Sequence, residues 1–210
     1  MRIFSIELSS RFGSMAVVEK GTTVAEKRWE ENFKDRQQLF DAMSGIVADW
    51  SSIDVFAVGR GPGAFSGMRI GFTVVNALAA PLKKQVYALN SGAALAAQAG
   101  SAKTAVVGDA RRNKVWAGVF SGTELEKPFA LMERDELRAF IPEDVLVVSP
   151  DQDRLKGLLE GFNAVNLPIY PAASDLGLLV YDRLVKGVAS EVFEPLYMHP
   201  PVFIAPRFPA

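Results

Sequence analysis

The stretch Asp54-Val55-Phe56-Ala57-Val58-Gly59-Arg60-Gly61-Pro62-Gly63-Ala64-Phe65-Ser66-Gly67-Met68-Arg69-Ile70-Gly71 holds a strand, a loop and a helix start in eighteen residues. Asp54 to Gly59 is short and apolar, as a buried strand is. Gly61 to Gly67 is glycine-rich. Ser66 to Ala80 has helical periodicity and stops near Pro81, with Ser66 as the expected N-cap. A loop that ends a strand and opens a helix presents backbone N–H groups beside a partial positive charge. It therefore reads either as a cradle for a phosphate or carboxylate, or as a tight turn that needs a positive φ. It has neither the closing Lys-Ser/Thr of a Walker loop nor the glycine spacing of a dinucleotide fingerprint. Gly67 and Gly71, four apart, allow another backbone to come close; the neighbour is either the sheet or a helix of a partner.

Upstream, Arg2 to Leu8, Ser14 to Glu19 and Thr23 to Trp29 read as three successive antiparallel strands. They are separated by Ser9-Ser10-Arg11-Phe12-Gly13 and by a tight turn at Lys20-Gly21-Thr22. Asn32 to Asp35 hands over to a helix whose apolar stripe is Leu39, Phe40, Met43, Ile46, Val47 and Trp50. Downstream, Gln85 to Leu89 is a strand and Ser91 to Ala99 a helix capped by Ser91. The order β-β-β-α-β-α-β-α predicts a mixed sheet with helices packed on it. Gly100-Ser101 is the expected boundary between residues 1–100, the N-terminal lobe carrying the association helices, and residues 101–210, a reduced C-terminal lobe. In that second part Thr104 to Gly108, Val115 to Phe120 and Val145 to Val148 read as strands, and Leu155 to Glu160 and Ser174 to Val185 as helices. The proline-rich end, from Glu194, is expected to run extended along the surface.

Composition narrows the chemistry. The chain has 210 residues, 23 Lys+Arg against 24 Asp+Glu, no cysteine and one histidine, His199. The missing cysteines exclude a disulfide framework, a thiolate zinc site and a cysteine nucleophile. A single histidine excludes a His-pair metal site and most triads. A net charge of −1 is not that of a protein which grips nucleic acid unaided. No apolar run reaches the roughly 20 residues of a membrane span, and Glu7 comes too early for a signal-peptide core. A cytoplasmic protein is expected. Glu7 and Asp109 are the carboxylates placed to reach a metal, with no third acid in a motif. His199 is expected to be exposed. Arg111, Arg112 and Lys114 form a small basic turn, either solvated or a phosphate contact. Arg69, unfavourably placed for the helix dipole, is expected to have a specific partner, an acid of its own lobe or an anion.

Four motifs carry a family resemblance. Gly61-Pro62-Gly63-Ala64-Phe65-Ser66-Gly67-Met68-Arg69-Ile70-Gly71 closely resembles the Gly-Pro-Gly-Ser-Phe-Thr-Gly-Leu-Arg-Ile-Gly signature of the bacterial TsaB family, also called YeaZ. Asp109-Ala110-Arg111-Arg112-Asn113-Lys114-Val115-Trp116 resembles its Asp-Ala-Arg-Arg signature, and Glu194-Pro195-Leu196-Tyr197 its C-terminal Glu-Pro-x-Tyr. Ile6-Glu7-Leu8-Ser9-Ser10 stands where the family has Ile-Asp-Thr-Ser. Order and spacing agree along nearly the whole chain. Three segments depart from the pattern: Glu7 replaces an Asp, Lys34-Asp35-Arg36-Gln37 replaces Lys-His-Ser-Glu, and Tyr197-Met198-His199 replaces Tyr-Leu-Arg.

The resemblance implies an α/β protein of the sugar kinase/Hsp70/actin superfamily, with two ribonuclease-H-like lobes of mixed sheets flanked by helices, the second reduced. It implies a non-catalytic subunit that binds and activates TsaD, the enzyme that transfers threonylcarbamoyl to the adenosine beside the anticodon of tRNAs reading codons that start with A. TsaE is the further partner, tRNA is met only through the complex, and the chain alone forms a homodimer. No resident cofactor, metal or catalytic residue is implied, although a nucleotide could lodge at a subunit junction. The motif residues that could bind an anion are Gly61, Pro62, Gly63, Ser66, Gly67, Arg69, Asp109, Arg111 and Arg112. The expected partner face is Leu39, Phe40, Met43, Val47, Gly67, Gly71, Val74, Val75 and Leu78, because the first helix has a stripe wider than one sheet contact and the second is apolar nearly all round. The rival readings are an independent nucleotide-dependent kinase or hydrolase of the same superfamily, a peptidase, and a homodimeric module without a tRNA role.

Overall fold

The structure is a computed structural model and describes residues 1–31 and 37–200. The first sheet is formed by β1 (Arg2–Glu7), β2 (Phe12–Glu19), β3 (Thr22–Glu30), β4 (Val55–Gly59) and β5 (Gln85–Leu89), in the order β3-β2-β1-β4-β5. β1, β2 and β3 are antiparallel; β4 and β5 run parallel to β1. The turn between β2 and β3 has positive φ at Lys20 and Gly21, as the sequence predicts for a two-residue hairpin. The second sheet, β6 (Lys103–Arg111), β7 (Lys114–Ser121), β8 (Glu124–Glu133) and β9 (Leu146–Val148), has the order β8-β7-β6-β9. It repeats the antiparallel meander followed by a parallel strand and lacks a fifth strand. Two mixed sheets flanked by helices, the second smaller, are the ribonuclease-H-like arrangement expected above.

Alternation along β1 distributes the core. Ile3 belongs to one apolar cluster with Val18, Val55, Ala57 and Tyr87; helices α3 (Ser91–Ala99) and α6 (Ala173–Val185) cover it. That cluster continues into the second sheet through Val106, Trp116 and Phe120. Phe4, Ile6 and Leu8 point the other way, into a cluster closed by α1 (Gln37–Ile46) and α2 (Phe65–Ala79). The far side of the second sheet is closed by α4 (Leu137–Phe140) and α5 (Gln152–Leu159). β1 is thus buried on both faces. Gly177 lets α6 lie against the Ser5 hydroxyl, which donates to the Ala173 carbonyl at 2.6 Å.

Several elements differ from expectation for local reasons. Trp50 is outside α1: the helix ends at Ile46, and Trp50 opens a 3₁₀ turn capped by Asp49, with its ring 5.1 Å from Phe4. Ser66 does not cap α2. The helix starts one residue earlier, with Ala64 at the N-cap and no side-chain cap. Asn90, not Ser91, caps α3 by accepting from the Ala93 N–H at 2.9 Å. β8 escapes the sequence pattern because it is an edge strand, charged at Glu124, Glu126 and Lys127 and interrupted by Pro128. Asp109, Ala110 and Arg111 finish β6, leaving Arg112 and Asn113 to turn the chain. The handover at 32–35, and all of the altered 34–37 segment except Gln37, lie outside the described residues.

Candidate functional site

The glycine loop is built around Glu7. This side chain is fully buried at the end of β1, beneath the loop and beside the start of α3. One carboxyl oxygen accepts from the Ser9 N–H at 2.7 Å and the other from the Ser91 hydroxyl at 2.6 Å. The Ser91 hydroxyl in turn accepts from the Gly61 N–H at 3.0 Å, and the Ser91 N–H donates to the Gly61 carbonyl at 2.8 Å. Burial pushes the Glu7 carboxyl above its ordinary value, while the hydrogen bonds from Ser9 and Ser91 pull it down.

The glycines of the loop are accounted for by these contacts. Gly61 has φ 88°, which favours glycine. A side chain on Gly63 would overlap the Ser9 carbonyl, and one on Gly59 the Glu7 carboxyl. The N–H groups of Arg60, Gly61 and Ala64 are committed to Leu89, Ser91 and Ser9. The anion-cradle reading of Gly61, Pro62, Gly63 and Ser66 therefore loses the N–H groups of Gly61 and Ala64 and keeps those of Gly63 and the first turn of α2. Among the described residues no group of three or more His, Cys, Asp or Glu could hold a metal ion.

The Asp109 motif satisfies itself in a similar way. The Asp109 N–H donates to Asp151 at 3.0 Å, and Asp109 accepts from the Arg111 N–H and pairs with its guanidinium at 3.2 Å. Arg154 pairs with Asp151, and Lys114 with Glu133. Burial raises the Asp151 carboxyl, opposed by the hydrogen bond from the Asp109 N–H. Arg111, Arg112 and Asn113 all have positive φ, a left-handed turn made without glycine. Arg112 is the exposed cation of the motif with no ion pair among the described residues.

The face of α1 and α2 divides the expected partner residues. Leu39, Val47 and Val75 are buried in the protein's own core, at 6%, 6% and 0% exposure. Gly67 and Gly71 face the sheet: a side chain at Gly67 would overlap the Leu8 carbonyl, and Gly71 lies on Val58. The close approach these glycines permit is that of β1 and β4, so the helix-to-helix alternative is corrected for both. What remains outward is Phe40 of α1, 64% exposed, together with half-buried Met43 of α1 and Ile70, Val74 and Leu78 of α2.

Sequence reading gave little to the segment after α6. Residues 188–200 form a strap. Ala88 and Glu191 make an antiparallel bridge at the free edge of β5, and the Tyr87 hydroxyl donates to the carbonyls of Val188 and Ala189. Arg60 pairs with Glu191 at 3.2 Å and donates to the Glu194 carbonyl; Asn90 also donates to Glu191. Phe193 packs on Phe72 and Tyr197 on Phe65. His199 is partly buried, not exposed as expected, with Nε2 2.7 Å from the Ala110 carbonyl. The sequence signals for this segment are the proline-rich composition from Glu194 and the Glu-Pro-x-Tyr motif, and neither names the Tyr87, Arg60 and Asn90 contacts that hold it.

A two-lobed ribonuclease-H-like protein whose glycine loop is closed by its own side chains, and which leaves an apolar helical face outside, defines the class. Comparison with known proteins shows what the chain resembles. Residues 25–127 match the TsaD family, described as tRNA N6-adenosine threonylcarbamoyltransferase. The chain is 28% identical to the tRNA threonylcarbamoyladenosine biosynthesis protein TsaB of Escherichia coli (strain K12), over 94% of each chain. It is similar to the solved structure of YeaZ from Pseudomonas aeruginosa, at 26% identity and TM-score 0.75, covering 93% of this chain and 99% of that one. A second Pseudomonas aeruginosa structure, described as an uncharacterized protein with similarity to peptidase YEAZ, shares the fold at TM-score 0.79 and 24% identity, covering 94% and 99% of the two chains. The chain is thus similar along nearly its whole length to proteins named TsaB and YeaZ.

Proposed function

We propose that this protein acts in the cytoplasm in making threonylcarbamoyladenosine in tRNA, as a non-catalytic subunit that binds a TsaD-type transferase. The similarity to TsaB over 94% of each chain supports the pathway. The observation that carries the role of a binding subunit is the apolar surface that α1 and α2 leave uncovered, Phe40 at 64% exposure and Met43, Ile70, Val74 and Leu78 half-buried. Covering an exposed phenylalanine is worth roughly 1.5–3 kcal/mol, and a helix apolar beyond the stripe that its own sheet covers suits a partner.

The mechanism is a shift of population. The subunit activates its partner by binding the transfer-competent shape more tightly than the inactive one. The chain's own chemistry is consistent with this role, since both Glu7 oxygens are already engaged by Ser9 and Ser91. TsaE joins the pair, tRNA is met through the transferase, and the same face pairs two copies when the transferase is absent.

Reconstitution tests the proposal. Purified TsaD, TsaE, threonylcarbamoyl adenylate and tRNA are combined with and without this chain, and the modified nucleoside is counted. The reading requires product to rise many-fold with the chain present. Equal product in both mixtures, or ATP turnover by the chain alone that Glu7→Ala abolishes, rejects it.

A further inference from the structure

Of the 25 residues in α1 and α2 nine are buried, which leaves 16 to meet a partner. A stable interface takes about 20–30 residues from each side. The two helices alone fall short, so a partner that covers them must reach further. On the α1 side the neighbouring element is the edge strand β3, where Lys27 lies on the same face as Ala25 and Trp29, Val24 is 53% exposed, and Glu26 and Arg28 belong to the opposite face, on which Ser174 of α6 donates to Glu26. Lysine is depleted from interface cores.

The other flank of α2 is different. α1 lies over β2 and β3 and α2 over β4, with the 188–200 strap beyond, at the free edge of β5. There Tyr197, 43% exposed, sits 4.9 Å from Phe65, 56% exposed. Arg69 stacks on the same Phe65 ring at 5.4 Å and has no carboxylate partner among the described residues. One turn further, Phe72 and Phe193 floor an open groove rimmed by Thr73, Asn76 and Pro195. Tyrosine, phenylalanine and arginine are enriched in interface cores, and tyrosine and arginine among the residues that dominate binding energy. The aromatic pair is also held in place: the strap is pinned by Arg60 on Glu191 and by the Leu196 N–H on the Arg60 carbonyl at 2.7 Å. Little ordering entropy is left to lose on docking.

We propose that the strap completes the docking face, so that the transferase partner spans α1, α2 and the Phe65–Tyr197 platform. The partner presents a carboxylate to Arg69 and an apolar side chain to the Phe72–Phe193 groove. This rests on the preceding reading that a TsaD-type transferase is the partner. It assigns to the C-terminal segment a direct part in binding.

Titration calorimetry of the full chain with the purified transferase tests it. Arg69→Glu, and separately the double change Phe65→Ser with Tyr197→Ser, should each weaken binding tenfold or more while the circular dichroism spectrum of the folded chain is retained. Arg69→Lys should retain most of the affinity. Val74→Glu serves as the control for the helical face. Loss of binding in Val74→Glu with full affinity in both strap-side variants overturns the platform and leaves the partner reading standing. Strap-side variants that dissociate a homodimer while binding the transferase at full affinity assign the platform to a second copy and also overturn the proposal. If the wild-type chain does not bind the transferase, the partner reading falls, and the platform with it.

Discussion

The Glu7 carboxyl accepts a 2.6 Å hydrogen bond from the Ser91 hydroxyl, 84 residues away in the chain. The same hydroxyl accepts from the Gly61 N–H, so one serine ties the end of β1 and the glycine loop to the start of α3. Ser91→Ala leaves one Glu7 oxygen and the Gly61 N–H without partners in a buried setting. Its expected cost is about 1–3 kcal/mol, read from urea unfolding midpoints. An unchanged midpoint would show that water replaces the hydroxyl.

Glu7 also sets a pH dependence. Burial raises its native carboxyl above the ordinary 4.5. The folded protein therefore holds this proton more tightly than the unfolded chain does. Its contribution to stability is fully present below pH 4.5 and is lost as the pH rises through the raised native value. Asp151 is shifted the same way, so the Glu7 share is read as a difference. The stability profile of Glu7→Gln should lack part of the fall that the wild type shows with rising pH; parallel profiles would refute the assignment.

Two glycines in the association helices should behave oppositely. A methyl at Gly67 overlaps the Leu8 carbonyl and must move α2 off β1. Gly67→Ala is expected to cost about 1–3 kcal/mol. Gly45 is exposed in α1 with open space around it, and Gly45→Ala should stabilise by up to about 1 kcal/mol. Thermal melts of the two variants decide; a shift of the same sign in both would contradict the packing described.

Val74 is half-buried on the outer side of α2. Val74→Glu keeps its charge in water in the free protein and loses that water under a partner. Burying an unpaired charge costs about 3–5 kcal/mol, so the complex should vanish from a sizing column while the free chain still folds. Co-elution at wild-type strength would move the interface elsewhere.

The strap depends on Glu191, which receives Arg60 and Asn90 together. Glu191→Ala removes three hydrogen bonds to a carboxylate, from Arg60 and from the Asn90 backbone and side chain, each worth about 1.5–3 kcal/mol. Chymotrypsin should then cut at Phe193 and Tyr197 many times faster, with the circular dichroism spectrum unchanged. Protection equal to the wild type would mean that the aromatic contacts alone hold the segment.

Strands and helices were readable wherever a residue's fate is decided by neighbours a few positions away. β1 through β5 showed as short apolar or alternating runs, α2 by its period and Lys20-Gly21 as a turn, because each signal lies within a few residues. The motifs that mark the family are equally local. β8 was unreadable because charges and Pro128 break the alternation of an edge strand, and Trp50 fell into the helical stripe by spacing alone. Apolar periodicity says that α1 and α2 each have a greasy side; it does not say which residues the protein's own sheet consumes. Folding spends Leu39, Val47, Val75 and the two glycines on β1, β4 and the core, and leaves Phe40 and Val74 outside. Likewise Glu7 meets Ser91, and Tyr197 meets Phe65, across 84 and 132 residues. Contacts between such distant positions exist only once strands from separate parts of the chain lie side by side, and no local pattern encodes their distance.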